Sequence, residues 1–166
     1  MGIEIEDLDG FLAREFTCIV GVNRPGRAPL VFPMWFRWDA DAKEILITTA
    51  ATSKKVPLIV REPQVMVLVE AESEYMRLRG VQFEGRAEVI LDQAIGRPAH
   101  EAVWERYQSR LPRRMPPHLE RFYEQGERAL IRVRPERTRS WDFARIRYPE
   151  GTPPEDMALR DGGAAG

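Results

Sequence analysis

The sequence predicts a mainly antiparallel β-barrel with short attached helices, and three observations carry that prediction. About six segments have the length and apolar pattern of strands. They mostly follow one another directly, with few of the long crossovers that parallel strands require. Clusters of Pro, Gly, Asn and Asp separate them, as turns between antiparallel strands do.

In chain order, Leu8, Phe11, Leu12 and Phe16 fall at helical spacing within Asp7 to Phe16, which reads as a short amphipathic helix. Thr17 to Val22 is a strand, ended by the turn-forming Asn23-Arg24-Pro25-Gly26. The apolar and aromatic run Leu30 to Trp38 is a second strand. Asp39 to Lys43 make a hairpin loop into a third, Glu44 to Thr49, antiparallel beside it. Ser53 is suited to cap a helix over Lys54 to Glu62, because Pro57 falls in or near its first turn, where a missing N–H matters least; Pro63 stops it. Val65 to Val69 is apolar without alternation, the pattern of a central strand covered on both faces. Val81 to Leu91 alternates, with Val81, Phe83, Ala87, Val89 and Leu91 on one face and Gln82, Glu84, Arg86 and Glu88 on the other. Between Asp92 and Gly126, Ala102, Val103, Trp104 and Tyr107, and then Leu119, Phe122 and Tyr123, mark two helices broken around Pro112, Pro116 and Pro117. Ala129, Ile131 and Val133 restart period two as a last strand that reaches Pro135. Residues 1–148 then form a single domain, and 149–166, rich in Gly, Pro and Ala, a flexible tail.

Composition excludes several classes. An apolar fraction of 43% with 31% charged residues is the balance of a globular chain that builds one core. A net charge of −1 gives no electrostatic basis for nucleic-acid or anionic-membrane partners. No apolar run approaches the roughly 18 residues of a membrane span and the N-terminus is unlike a leader, so the expected location is cytoplasmic. The single cysteine, Cys18, excludes an internal disulfide and reads as a buried structural thiol. Phosphate-loop, dinucleotide-binding, nucleophile-elbow and zinc-protease motifs are absent. The two histidines, His100 and His118, read as surface residues of the helical insert, so no metal site and no Ser-His-Asp triad is expected.

One segment does carry chemistry. Thr48-Thr49-Ala50-Ala51-Thr52-Ser53-Lys54-Lys55 leaves a strand, crosses a short loop and enters a helix. Phosphate binding needs convergent N–H donors, hydroxyls and positive charge, all of which such a segment supplies. Lys43, Lys54 and Lys55 are the only lysines in the chain, so the adjacent pair stands out against an arginine background.

The string Pro33-Met34-Trp35-Phe36-Arg37-Trp38-Asp39, then Thr48-Thr49, Ser53-Lys54-Lys55 and Arg61-Glu62-Pro63-Gln64-Val65, has an order that is informative as a set. Val81-Gln82-Phe83-Glu84-Gly85-Arg86-Ala87-Glu88 and Arg137-Thr138-Arg139-Ser140-Trp141-Asp142 follow it. Together they resemble the pyridoxamine 5′-phosphate oxidase-like FMN-binding split barrels, from about Phe11 to Asp142 and most strongly from Leu30 to Glu88. The resemblance implies an antiparallel six-stranded split β-barrel that works as a homodimer with cofactor bound between subunits. It implies that Ser53, Lys54 and Lys55 grip the cofactor phosphate, with Thr48 and Thr49 on the strand end beside it. It also places Met34, Trp35 and Phe36 at the isoalloxazine, and Trp141 near the ring in the dimer.

FMN is the first cofactor implied and the deazaflavin F420 the alternative. The acidic tail of F420 would be screened by the basic set Arg128, Arg132, Arg134, Arg137, Arg139, Arg145 and Arg147. The implied activity is hydride transfer to a small-molecule substrate, with no catalytic side chain identified; the alternative is a non-catalytic flavin-binding or scaffold protein. Two departures from the family pattern stand out. Leu58 occupies the position where the family often has Asn, and the C-terminal signature of true pyridoxamine phosphate oxidases is absent, so vitamin B6 oxidation is not implied.

Overall fold

The computed structural model describes residues 4–118, 120–121 and 126–157. Asp7 accepts a hydrogen bond from the Gly10 N–H at 2.8 Å and so starts helix α1, Leu8–Arg14, which buries Phe11 and Leu12. Strand β1, Thr17–Val22, pairs antiparallel with β2, Leu30–Trp35, across the turn that holds Gly26 at φ 71°. Strand β3, Arg37–Asp39, pairs with β4, Glu44–Ala50; Asp39 closes the hairpin by accepting from the N–H groups of Asp41 and Ala42. Helix α2, Lys55–Arg61, leads to β5, Gln64–Ala71, and then β6, Arg79–Ile90. Helix α3, Gln93–Tyr107, precedes the last strand, β7, Arg128–Asp142.

The seven strands form one antiparallel sheet in the order β2-β1-β5-β6-β7-β4-β3. The two edge strands, β2 and β3, are separated in the chain by Phe36 alone. Trp35 and Arg37 therefore lie within about 7 Å of each other, the reach of two peptide units. A sheet whose opposite edges are tied this closely must curl on itself. The result is the half-closed, split-barrel arrangement, with a mainly β fold and short helices as expected.

The single strand expected over Leu30 to Trp38 is thus two strands, which raises the count from six to seven. Its break has a physical cause: the halves pair with different partners, and Phe36 turns fully into the core between them. The Phe36 N–H leaves the sheet ladder and donates instead to the Tyr107 hydroxyl at 3.2 Å. Inside the curl, Val20, Ile47, Val67, Phe83 and Val133 from five strands meet Phe11 and Leu12 of α1 and Ile59 of α2.

Other expectations shift. Ser53 does not cap α2: the capping position falls on Lys54, without a side-chain hydrogen bond, and the Ser53 hydroxyl faces Lys55 instead. Strand β5 is central but covered fully on one face only, with Val65, Val67 and Val69 buried and Met66 and Leu68 half-buried. Leu91 lies beyond β6 and is exposed, because the chain turns there into the Asp92 cap of α3. Pro135 does not end the last strand. It sits opposite an irregularity at Glu84/Gly85, where an extra residue relieves the missing N–H, and β7 runs on to Asp142. Gly85 is required there, since a Cβ would lie 2.3 Å from the Arg134 carbonyl oxygen. Cys18 is buried, which pushes its thiol up to about 12. Of the second helix expected in the insert, Leu119, Phe122 and Tyr123 lie outside the described residues, as does the tail beyond Met157; Pro154–Met157 form one helical turn.

Truncating Phe36 to Ala should lower unfolding free energy by about 3–5 kcal/mol, as for other fully buried aromatics. Tyr107→Phe, which leaves the Phe36 N–H without its acceptor, should cost about 1–3 kcal/mol. Urea titrations followed by tryptophan fluorescence measure both; a Phe36→Ala cost below 1 kcal/mol would show that the edges do not depend on this residue.

Candidate functional site

The curl does not seal. No ladder joins β2 to β4, and a cavity of about 500 Å³ opens where the two strands pass, bounded by the loop into α2 and by α3. From β2 come Pro33, Met34 and Trp35, from β4 Thr48, Thr49 and Ala50, and from the following loop and helix Thr52, Ser53 and Lys55. Helix α3 contributes His100, Val103 and Trp104, and β7 contributes Arg128. The described lining has three basic side chains and four hydroxyls but no carboxylate.

Lys55 is the centre of this chemistry. It is 9% exposed, its ammonium donates to Ser53 Oγ at 2.9 Å and Thr49 Oγ1 at 3.3 Å, and it lies 4.7 Å from the centre of the Phe32 ring. Burial lowers its pKa below the ordinary lysine value of 10.5. Two hydroxyls and a ring face orient the cation without neutralising it.

Arg128 is 2% exposed and is set by its backbone: Gln93 accepts from the Arg128 N–H at 3.0 Å and donates to its carbonyl at 2.8 Å. The same clamp seats the start of α3, whose Gly96 passes so close that a Cβ would lie 3.2 Å from the Arg128 carbonyl oxygen. Farther along α3, His100 Nδ1 lies 3.1 Å from Thr48 Oγ1, and Tyr107 stacks on Trp35 at 4.2 Å. The helix thus braces both strands that flank the opening.

Of the residues singled out from sequence, Met34, Trp35, Thr48, Thr49, Ser53 and Lys55 come together around this cavity. Phe36 lies beneath it in the core, and Lys54 points to solvent outside the lining. Trp141 packs over Gly80, at the far end of β7 from Arg128, a strand path of roughly 40 Å at about 3.3 Å per residue. The basic set expected to screen an acidic tail does not form one groove within the chain. Arg132 and Arg134 pair with Glu44 and Glu88, Arg137 with Glu84 and Arg145 with Glu6, while Arg128 alone of the set lines the cavity.

His100 corrects the surface reading: it is 8% exposed and in the cavity wall, whereas His118 is exposed as expected. The signal was present, because Gly96, His100, Val103 and Tyr107 form one buried helical stripe. Arg128 had no such signal; all four residues from Arg128 to Ile131 are buried, since α3 covers the outer face there.

The model of one family, described as pyridoxamine 5′-phosphate oxidase, matches residues 5–142. The chain belongs to the pyridoxamine 5′-phosphate oxidase family. Among solved structures it is similar to a conserved hypothetical protein of Mycobacterium tuberculosis, at 28% identity and a TM-score of 0.74 over 99% of this chain and 96% of the other. It is also similar to a structure named F420 reductase, at 24% identity and a TM-score of 0.62 over 81% of this chain and 98% of that one. An FAD-binding protein of Mesorhizobium loti matches at 17% identity and a TM-score of 0.61, over 84% and 94% of the two chains. At such identities the last two support the fold alone. No curated protein matches the chain.

A buried cation without a described carboxylate beside it should cost stability. Lys55→Met should raise the melting temperature of the ligand-free protein by about 2–4 °C near pH 7, if burial costs about 1 kcal/mol. Because the folded pKa lies below the unfolded 10.5, the unfolded chain holds more protons between those values, so wild-type stability rises with pH there and the gap to the variant closes. Melting curves from pH 6 to 10.5 check the sign; a variant less stable than wild type at every pH would contradict it.

Proposed function

We propose that this chain binds a phosphate-bearing flavin or deazaflavin, FMN first and F420 as the alternative, for hydride transfer to a small-molecule substrate. One observation carries the reading: a cavity that opens at the barrel seam with Lys55, Arg128, His100 and four hydroxyls and no described carboxylate. A phosphate is the ligand chemistry that such a donor set fits. Met34, Trp35 and Trp104 supply an apolar and aromatic wall beside it, suited to a planar ring. Membership of the pyridoxamine 5′-phosphate oxidase family supports a flavin-class cofactor.

When bound, the cofactor supplies the redox chemistry, and the protein's part is to orient it and exclude water. Lys55, Ser53 and Thr49 would fix the phosphate, and Trp35, held by its stack on Tyr107, would fix the approach of the ring. FMN is preferred to F420 because four of the seven arginines offered to an acidic tail, Arg132, Arg134, Arg137 and Arg145, are engaged with Glu6, Glu44, Glu84 and Glu88.

We infer further that two copies pair through the outer face of β1, β2 and β5. Val31 is 67% and Ile19 37% exposed there, beside half-buried Met66 and Leu68 in register across the three strands. Trp141, remote from its own chain's cavity, would reach a cavity only from a second copy. Light scattering at micromolar concentration should give twice the chain mass, and Val31→Asp should shift it toward the single mass; a monomer at high concentration with FMN present overturns the inference.

Titration of the protein with FMN should quench tryptophan fluorescence from Trp35 and Trp104. Lys55→Met should weaken FMN binding by about tenfold to a hundredfold, the worth of one or two charge-assisted hydrogen bonds. Lys54→Ala should change it by no more than about twofold, as for an exposed charge, and riboflavin, which lacks the phosphate, should bind both variants and wild type alike. Equal FMN affinity in Lys55→Met and wild type would sink the phosphate assignment. Bound FMN that small donors and acceptors neither reduce nor reoxidise would favour a binding protein over an enzyme.

A further inference from the structure

We propose that the Lys55 amine is a covalent capture site for small aromatic aldehydes, which it binds reversibly as an imine in the ligand-free protein. The proposal goes beyond the phosphate reading above. The side chain that would grip a dianion as a cation acts here as a nucleophile, and it does so whether or not FMN binds.

A lysine becomes a nucleophile when its surroundings disfavour the ammonium, and a desolvated pocket without a carboxylate is one means to that end. Lys55 has such surroundings. It is buried at the start of α2, and each of its described contacts is neutral: Ser53 Oγ at 2.9 Å, Thr49 Oγ1 at 3.3 Å and the centre of the Phe32 ring at 4.7 Å. Burial lowers its pKa below 10.5. Among the other described lining residues the ionisable groups are Arg128 on β7 and His100 on α3, both engaged in contacts of their own. Nothing depends on their charge, since burial and neutral partners act on Lys55 directly. The other two lysines differ: Lys43 is exposed and paired with Asp9 at 2.8 Å, and Lys54 is exposed.

The side chain lines a cavity of about 500 Å³, large enough to admit a benzaldehyde. Pro33, Met34, Trp35, Val103 and Trp104 give that cavity an apolar and aromatic side against which a flat ring can lie. In the capture step the nitrogen lone pair attacks the carbonyl carbon, a C–N bond forms and the C=O π electrons move to oxygen. One proton passes from nitrogen to that oxygen, and the Ser53 hydroxyl, one hydrogen bond from Nζ, is placed to relay it. The carbinolamine then loses its hydroxyl and the remaining amine proton as water, which leaves the C=N bond. No oxidant or reductant is consumed, and water reverses the reaction.

The test equilibrates the flavin-free full chain with benzaldehyde at pH 7, traps imines with sodium borohydride and locates the reduced adducts by peptide mass mapping. Lys43 and Lys54 are references within the same sample, and mapping separates the α-amino group, whose pKa is intrinsically lower than that of a lysine. Lys55 should be trapped to about ten times the extent of Lys54 or more, and the preference should vanish in urea, where burial is lost. Saturating FMN should cut trapping at Lys55 about tenfold by occupying the same amine. Trapping at Lys55 no greater than at Lys54 overturns the proposal; if FMN still quenches tryptophan fluorescence in that sample, the flavin reading stands. A preference that survives in urea also overturns it, because reactivity would then belong to the local sequence and not to the cavity. Preferential trapping that saturating FMN does not reduce upholds the proposal and removes Lys55 from the phosphate site.

Discussion

The structure turns on a covalent constraint: the two outermost strands of a seven-stranded sheet are joined through one residue, Phe36. Such a tether leaves the sheet no flat arrangement. It must curl until β2 and β3 meet, and the side chain at the join must go inward, where Phe36 is fully buried. The backbone at the join cannot belong to both edges at once. Its N–H is satisfied by Tyr107 from α3, so the helical insert is part of the closure and not an ornament on it.

The seam that this closure leaves open explains where the chemistry sits. Hydrogen-bonded ladders run continuously from β2 round to β3, but not between β2 and β4, and a cavity remains at that gap. Side chains from both faces of β2 and β4 can reach it because the strands end there. Helix α3 then covers the outer side and buries Arg128 and His100 in the cavity wall, whose described lining holds no carboxylate. Burying Lys55 beside them is a cost that packing does not offset, and the depressed pKa of its ammonium is the sign of that cost. An arrangement of this kind is what the proposed phosphate would complete.

Away from the cavity, several described charges are paired with one another. Arg132 and Arg134 share Glu44 and Glu88 on the solvent side of the sheet. Lys43 and the Trp38 indole N–H hold the Asp9 carboxyl below the usual carboxylate range, tying the β3–β4 hairpin to α1. These contacts are at least partly open to solvent and individually weak.

Much of the fold was legible in the sequence, because period-two alternation, turn residues and prolines act locally: β1 has the bounds its apolar run implies, and β6 the two faces that Val81 to Val89 describe. That Thr48, Thr49, Ser53 and Lys55 come together was legible for the same reason, the hydroxyls and the lysine being neighbours in the chain. What stayed hidden was set by partners distant in sequence. Whether Leu30–Trp38 is one strand or two depends on pairing with β1 at one end and β4 at the other, which no local pattern encodes. Which of two adjacent lysines is buried depends on where α2 begins, and that follows from Ser53 turning its hydroxyl to Lys55 and not to the helix N-terminus. The sequence by itself determined an antiparallel β protein with a hydroxyl- and lysine-rich loop; the tertiary structure alone decided that His100 and Arg128, 45 and 73 residues beyond Lys55, share its cavity, because only the curl of the sheet brings β7 and α3 against β4.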